Sequence, residues 1–248
     1  MNKNSPPDDA RQEDKVDPAA QVSKTFEDFV YLISHDVRGS VRALIELPQW
    51  LADDMKDAGI KIEGSVAKTL DLMNRHTARL DRMLVDLLVY SRIGNMQTIG
   101  PVQVRDAVTE VLDEIYIPQG FDIEQKVDDI TIEIGNRDIL TLFTALISNA
   151  FKHHDKPKGT IRVTVSADKD EAVIKVEDDG PGIADEHHER VFAAMATLRP
   201  RDEVEGSGMG LAIVRKIAER YGGSASARPN GKRKRGTQMI VRLPLRST

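Results

Sequence analysis

Residues 26–44 read FEDFVYLISHDVRGSVRAL, and the spacing of their apolar side chains decides how the N-terminal part folds. Phe26, Val30, Ile33, Val37, Ser40 and Leu44, continued by Leu47 and Leu51, recur at steps of four and three, the spacing that lines one face of a helix. Pro48 is expected to interrupt or bend that helix, because proline lacks the amide donor the ladder needs. After a turn region at 56–64, KDAGIKIEG, the same spacing returns in Val66, Leu70, Met73, Thr77, Leu80, Leu84, Leu87 and Ser91. Two long helices joined by a turn predict an antiparallel hairpin. Phe29, Tyr31, Leu32, Ile45, Met83 and Leu88 widen the apolar stripe beyond what two helices bury, so two copies are expected to pair as a homodimeric four-helix bundle.

His35 falls two residues after Ile33 and two before Val37, about 200° around the helix from each, which turns it toward solvent. Taken alone, it reads better as a surface histidine with no task. Asp36 beside it, on a rigid bundle, offers instead a reactive imidazole with a carboxylate to take its proton. There is no histidine four residues on and no three-ligand cluster, which argues against zinc.

The bulk composition sets outer bounds. At 248 residues the chain can bury one large core or two modest ones, built mainly from Leu, Ile and Val because only 4% of residues are aromatic. A net charge of −5 gives no general attraction to nucleic acid, and the absence of cysteine removes disulfides and thiolate catalysis. With no apolar run near the roughly 18 residues of a membrane span and no secretory signal, the expected setting is cytoplasmic.

Residues 1–20 are polar and proline-bearing, and are expected to be a flexible leader or a recognition tail. Residues 21–93 hold the hairpin. Glycines and a proline in SRIGNMQTIGPVQV mark a hinge at 94–101, and 102–248 form a second domain. There, helices are expected at about 104–115, 137–153 and 209–221, with strands at 121–127 and 131–134, a hairpin over TIRVTVSAD and EAVIKVED, and two final strands flanking NGKRKRG. This predicts an α/β sandwich with an antiparallel or mixed sheet. The basic run Lys232–Arg235 reads as a solvated loop, since no aromatic residues interleave it for base stacking.

Three motifs in this domain carry chemistry. ISNAFKH presents Asn149 and Lys152 three residues apart on one helical face, an amide able to ligate Mg²⁺ and a lysine able to neutralise phosphate. DDGPGI follows a strand, with Asp178 offering a carboxylate and Gly180 and Gly182 permitting close backbone approach. GSGMGLAI opens a helix at Gly206, Ser207, Gly208 and Gly210, where amides can meet phosphate. It is neither a P-loop, lacking GK[ST], nor a dinucleotide fingerprint.

In this order the motifs resemble the N, G1 and G2 boxes of the Bergerat-type ATPase domain, as do VFAAM around Phe192 and the terminal RGTQMIVRLPL. SHDVR at 34–38 and LDRMLVDLLVYSRIG at 80–94 resemble the dimerisation and phosphoacceptor domain of two-component sensor histidine kinases. Together the resemblance covers Phe26 to Leu245.

It implies that His35 accepts the γ-phosphoryl group of ATP with Asp36 assisting, and that an aspartate on a response regulator receiver domain receives it next. It further implies that Asn149 coordinates Mg²⁺ beside Lys152, and that Asp178 recognises adenine in a pocket shaped by Gly180 and Gly182 and supported by Thr237. Gly206, Ser207, Gly208 and Gly210 would cradle phosphates, and 184–205 would be an ATP lid anchored by Phe192, with Arg190, Arg199 or Arg201 reaching phosphate. Three departures stand out: Gly39 replaces the amide or hydroxyl that positions water for regulator dephosphorylation, Ser40 replaces a proline, and Ala145 replaces a second metal-side asparagine. A phosphotransfer protein with a degenerate ATP domain and a noncatalytic receiver-binding adaptor are the alternatives. Residues 1–20 hold no sensory module, so the input is expected from a separate sensory partner, from a domain outside this sequence, or from regulation of the bundle itself. The pairs His153/His154 and His187/His188 are expected at the surface.

Overall fold

The computed structural model describes residues 18–95, 97–198, 206–231 and 235–245, with side chains from Asp36 onward. Most of the expected leader, residues 1–17, lies outside these, as do Arg199, Arg201 and residues 232–234.

Helix α1 (Pro18–Asp57) and helix α2 (Gly64–Arg92) form the hairpin. α1 takes in residues 18–20 of the expected leader and runs through Pro48 unbroken. One lost ladder bond costs less than the packing of a continuous stripe secures, and the Pro48 ring is itself buried. α1 stops at a left-handed Gly59, φ +70°, where the Ile60 amide bonds back to the Met55 carbonyl, the glycine stop that spares a side chain the strained conformation. Val41 of α1 and Leu70, Leu84 and Leu88 of α2 are buried. Val37, Leu44, Leu47, Leu51, Leu72, Met73, Leu80 and Val85 remain 38% to 47% exposed. One copy of the hairpin thus leaves much of its apolar stripe in water.

The expected hinge is shorter than 94–101. Strand β1 (Ile99–Gln103) pairs antiparallel with β3 (Thr131–Gly135), so the second domain starts before residue 102. Pro101 is tolerated there because the pair is only two strands wide. Helix α3 (Val104–Glu114), strand β2 (Phe121–Val127), helix α4 (Asn136–Lys152), strands β4 (Gly159–Asp168) and β5 (Glu171–Glu177), helix α5 (Gly210–Arg220) and strands β6 (Ser224–Pro229) and β7 (Thr237–Pro244) complete the domain. The five-stranded sheet runs β2-β4-β5-β7-β6, with β2 parallel to β4 and the other pairs antiparallel, a mixed sheet. Alternation along β4 turns Ile161, Val163 and Val165 inward, where they share one core with Ile139, Leu142, Phe143 and Leu146 of α4 and Val214 and Ile217 of α5. The result is an α/β sandwich whose strand ends and helix ends position the site.

The hairpin is tied to this domain at several points. Ile93, just past α2, is 2% exposed and joins the domain core. Lys216 donates to the Tyr90 carbonyl at 2.9 Å and lies 4.3 Å from the centre of the Tyr90 ring. Asp138, near the start of α4, accepts from the Gly94 amide at 2.8 Å and from the Tyr221 hydroxyl at 2.7 Å.

Candidate active site

Asp178 follows β5, the central strand of the five, and its carboxylate is held by backbone. Oδ1 accepts from the Gly180 amide at 2.9 Å and the Thr237 amide at 3.2 Å. The Asp178 amide bonds the Thr237 carbonyl at 2.9 Å, and the Asn230 side chain donates to the Asp178 carbonyl at 3.0 Å. Both amides that reach the carboxylate go to Oδ1, which leaves Oδ2 to accept from a ligand. Burial pushes the Asp178 carboxyl above its ordinary range, against the opposing pull of the two amides and of nearby His154. A Cβ at Gly236, φ +102°, would collide with the Asp178 carbonyl, so the approach of β7 to this turn requires glycine.

Asn149 and Lys152 occupy the last turn of α4, half-buried and exposed respectively. The residues that follow tie this helix end to the Asp178 turn. The His154 side chain is only 2% exposed, not at the surface as expected, and its Nε2 lies 3.2 Å from Asp179 Oδ1. Asp179 Oδ1 also takes the Thr160 amide at 2.8 Å, and Phe121 meets the His154 ring edge to face at 5.1 Å. A buried imidazole is thus satisfied by a carboxylate 25 residues away, a pairing that the adjacent HH does not announce. His188 is likewise largely covered, at 17% side-chain exposure, with Nε2 3.1 Å from the Ile183 carbonyl.

Among the described residues, Gly206 and Gly210 have no atom of another segment within 4 Å of where a Cβ would stand, and Gly208 adopts φ +76° against the backbone of Met195 and Ala196. The start of α5 is a helix N-terminus preceded by glycines, the kind of backbone that accepts phosphate. Ser207 is 6% exposed; its Oγ accepts from the Met209 amide at 3.0 Å and donates to Asp86 of α2. In the lid segment, Asp185–His187 and Arg190–Phe192 form single 3-10 turns. Phe192 is 3% exposed beneath the Arg215 guanidinium, 4.6 Å from its ring centre, and Glu189 holds that guanidinium at 2.8 Å. Arg190 is exposed.

The fold thus sets the turn of Asp178, Gly180 and Gly182 against Thr237 of β7, with Asn149 and Lys152 on the adjoining helix end and the Gly206–Gly210 run opening α5. His35 and Asp36 lie on α1, and the His35 side chain is outside the described set. Among the described residues no three His, Cys, Asp or Glu side chains converge on one point. A divalent ion here would lean on nucleotide phosphates and the Asn149 amide oxygen, a donor set that suits Mg²⁺. Arg235, expected to be solvated, donates instead to the Gly180 carbonyl. No helix of the described residues is long and apolar enough to cross a membrane.

Residues 135–247 match the family model for histidine kinase-, DNA gyrase B- and HSP90-like ATPases, the class of domain that this fold and site define. The relatives that the chain resembles include two-component sensor histidine kinases. It is 30% identical over 227 residues to the sensor histidine kinase CpxA of Escherichia coli K12, covering 86% of this chain and 46% of that protein. It is 27% identical over 228 residues to the methanogenesis regulatory histidine kinase FilI of Methanothrix harundinacea, covering 88% of this chain and 24% of that one. The chain therefore spans less than half the length of these curated relatives. Among solved structures, full-length ShkA in complex with AMPPNP shares the fold at TM-score 0.65 and 20% identity, over 89% of this chain and 46% of that one. The histidine kinase ThkA in complex with the response regulator TrrA aligns at TM-score 0.64 and 20% identity, over 94% of this chain and 69% of that one.

Proposed function

We propose that this chain is an ATP-dependent protein histidine kinase that phosphorylates His35 and passes the phosphoryl group to an aspartate of a response regulator receiver domain. The observation that carries the reading is the docking of the glycine-run residue Ser207 on Asp86. Counted from the connection between the helices, position 86 on α2 lies as far along the hairpin as position 35 on α1. This supports the reading, because the glycine run stands at the level of position 35 on α1.

In this reading Asp178 Oδ2 accepts from the adenine amino group, with Gly180, Gly182 and Thr237 shaping the pocket and Phe192 anchoring the lid. The amides of Gly206, Ser207, Gly208 and Gly210, with Lys152, hold the phosphates and stabilise charge as it develops. Mg²⁺, held by Asn149 and the phosphates, supplies further neutralisation when bound. A ring nitrogen of His35 forms the new bond to the γ-phosphorus, the bond to the β–γ bridging oxygen breaks, and ADP leaves with that electron pair. Asp36 takes the imidazole proton.

The exposed stripe of Leu44, Leu47, Leu51 and Leu80 supports a homodimeric four-helix bundle, since a second hairpin covers it. We place the chain in the cytoplasm.

Incubation with γ-labelled ATP and Mg²⁺ tests the proposal. The wild type is expected to acquire acid-labile, base-stable label, and His35→Ala and Asn149→Ala to lose it. Label that persists in His35→Ala rules out the acceptor.

A further inference from the structure

We infer that Arg235 is a positioning residue that aligns the Asp178 carboxylate with adenine; the inference rests on the reading of Asp178 as the base-recognising group. Arg235 Nε donates to the Gly180 carbonyl at 2.8 Å, and its Nη2 lies 2.6 Å and 2.7 Å from the two oxygens of Asp155. Gly180 in turn gives its amide to Asp178 Oδ1, and the other amide on that oxygen comes from Thr237, two residues beyond Arg235 in the chain. These links close a ring: the Arg235 side chain, the Gly180 peptide, the Asp178 carboxylate, the Thr237 amide and the short backbone back to Arg235.

Asp155 anchors the ring from outside. It lies just past the end of α4, the helix that carries Asn149 and Lys152. The Arg235 guanidinium beside it holds the Asp155 carboxyl below its ordinary value, as a close charged pair does. The α4 end is thus linked to the G1 turn at two points, through His154 to Asp179 and through Asp155 and Arg235 to the Gly180 carbonyl. The second link keeps the metal- and phosphate-side residues in register with the base-side carboxylate. A planar guanidinium serves both acceptors at once, whereas an ammonium is a point charge without that fork.

The test measures, on the full chain, dissociation constants for ADP and for IDP, whose hypoxanthine base lacks the 6-amino group. Wild type is expected to prefer ADP. Arg235→Ala is expected to weaken ADP binding by about tenfold and IDP binding little, because the lost alignment matters only to a ligand that uses Asp178. Arg235→Lys is expected to lose part of the preference while keeping the fold intact. The exchange D155R/R235D restores the ion pair, but an aspartate cannot donate to the Gly180 carbonyl, so the preference for ADP should stay low. Recovery of the preference in the exchange variant, or its survival in Arg235→Ala, overturns the inference. Asp178→Asn separates the two levels. If that variant keeps the wild-type preference, or wild type has none, the reading of Asp178 itself fails. If Asp178→Asn abolishes the preference and Arg235→Lys and Arg235→Ala leave it whole, only the positioning role falls.

Discussion

The Ser207 hydroxyl, in the middle of the glycine run that opens α5, donates to the Asp86 carboxylate of α2. A carboxylate therefore faces the cradle that the phosphates are proposed to enter. Like charges at short range in a solvated cleft repel by about 1 kcal/mol. Asp86→Asn keeps an acceptor for Ser207 and removes only the charge. Its affinity for a nonhydrolysable ATP analogue is expected to rise about fivefold at low salt. The difference should shrink at high salt, where such repulsion is screened. Equal affinities at every ionic strength would mean that the docked carboxylate does not oppose the nucleotide.

Asp178, proposed to serve binding, opposes stability at neutral pH. Burial raises its carboxyl pKa, so the folded state favours the protonated form. The contribution to stability is then largest below pH 3.8, the ordinary carboxyl value, and declines as pH rises through the folded pKa. Asp178→Asn, neutral at all pH, is expected to melt higher than wild type at neutral pH. Its ATP affinity is expected to fall. Thermal melts at neutral and acid pH check the sign: the advantage of the variant should vanish in acid.

Tyr221 reports on the junction of the two domains. Its hydroxyl donates to Asp138 at 2.7 Å and accepts from the Gly135 amide at 3.1 Å, and its pKa is pushed up to about 12, first by burial and then by the bond to Asp138. With the folded value above the ordinary 10, this tyrosine stabilises the fold below pH 10 and loses that contribution as pH rises through about 12. Tyr221→Phe leaves the Gly135 amide without its acceptor and Asp138, 3% exposed, short of a donor. A loss of about 1–3 kcal/mol in denaturant unfolding is expected. The late step in the tyrosinate absorbance titration should disappear with it.

Gly39 lies on α1 with no atom of the described residues, its own helix backbone aside, within 4 Å of where a Cβ would stand, so a larger side chain fits there. Gly39→Thr is expected to stabilise the helix slightly, by about 0.3 kcal/mol, since glycine is the poorer helix former. If the resemblance holds at this position, the new hydroxyl also positions a water for attack on the regulator's phosphoaspartate. Loss of label from a phosphorylated receiver, followed over time with each protein, measures the gain.

Leu47 is 47% exposed on the hairpin. Leu47→Glu places a charge in each half of the proposed bundle and removes two leucines whose exposed halves the bundle would cover, about 1 kcal/mol each. The dimer Kd from sedimentation velocity should rise by at least about a hundredfold. An unchanged sedimentation coefficient would remove this face from the interface.

How far these features are legible depends on how local they are. The four-three spacing of Val66 to Ser91 suffices for α2, and the alternation in TIRVTVSAD for β4, because each pattern reports one face of one element. β1 escapes such a reading, since Gly100 and Pro101 look like breakers and only the partner β3 makes them a strand. His154 reads as a surface residue because Asp179 and Phe121, which bury it, come from other elements. Arg235 looks like the end of a solvated basic run until the fold sets the Gly180 carbonyl and Asp155 beside it.

The sequence by itself determined the helical hairpin with His35 on it, the order of the N, G1 and G2 motifs, and the glycines where backbone must come close. Those properties follow from periodicity and from the steric reach of single residues, which neighbours along the chain are enough to set. Only the tertiary structure decided which oxygen of Asp178 is taken by the amides, what Arg235 grips, and where the ATPase domain rests on α2. Each depends on pairing across the fold, such as Ser207 with Asp86 at a separation of 121 residues. No local preference encodes such a pair; it exists only once the shared core has brought both ends to one place.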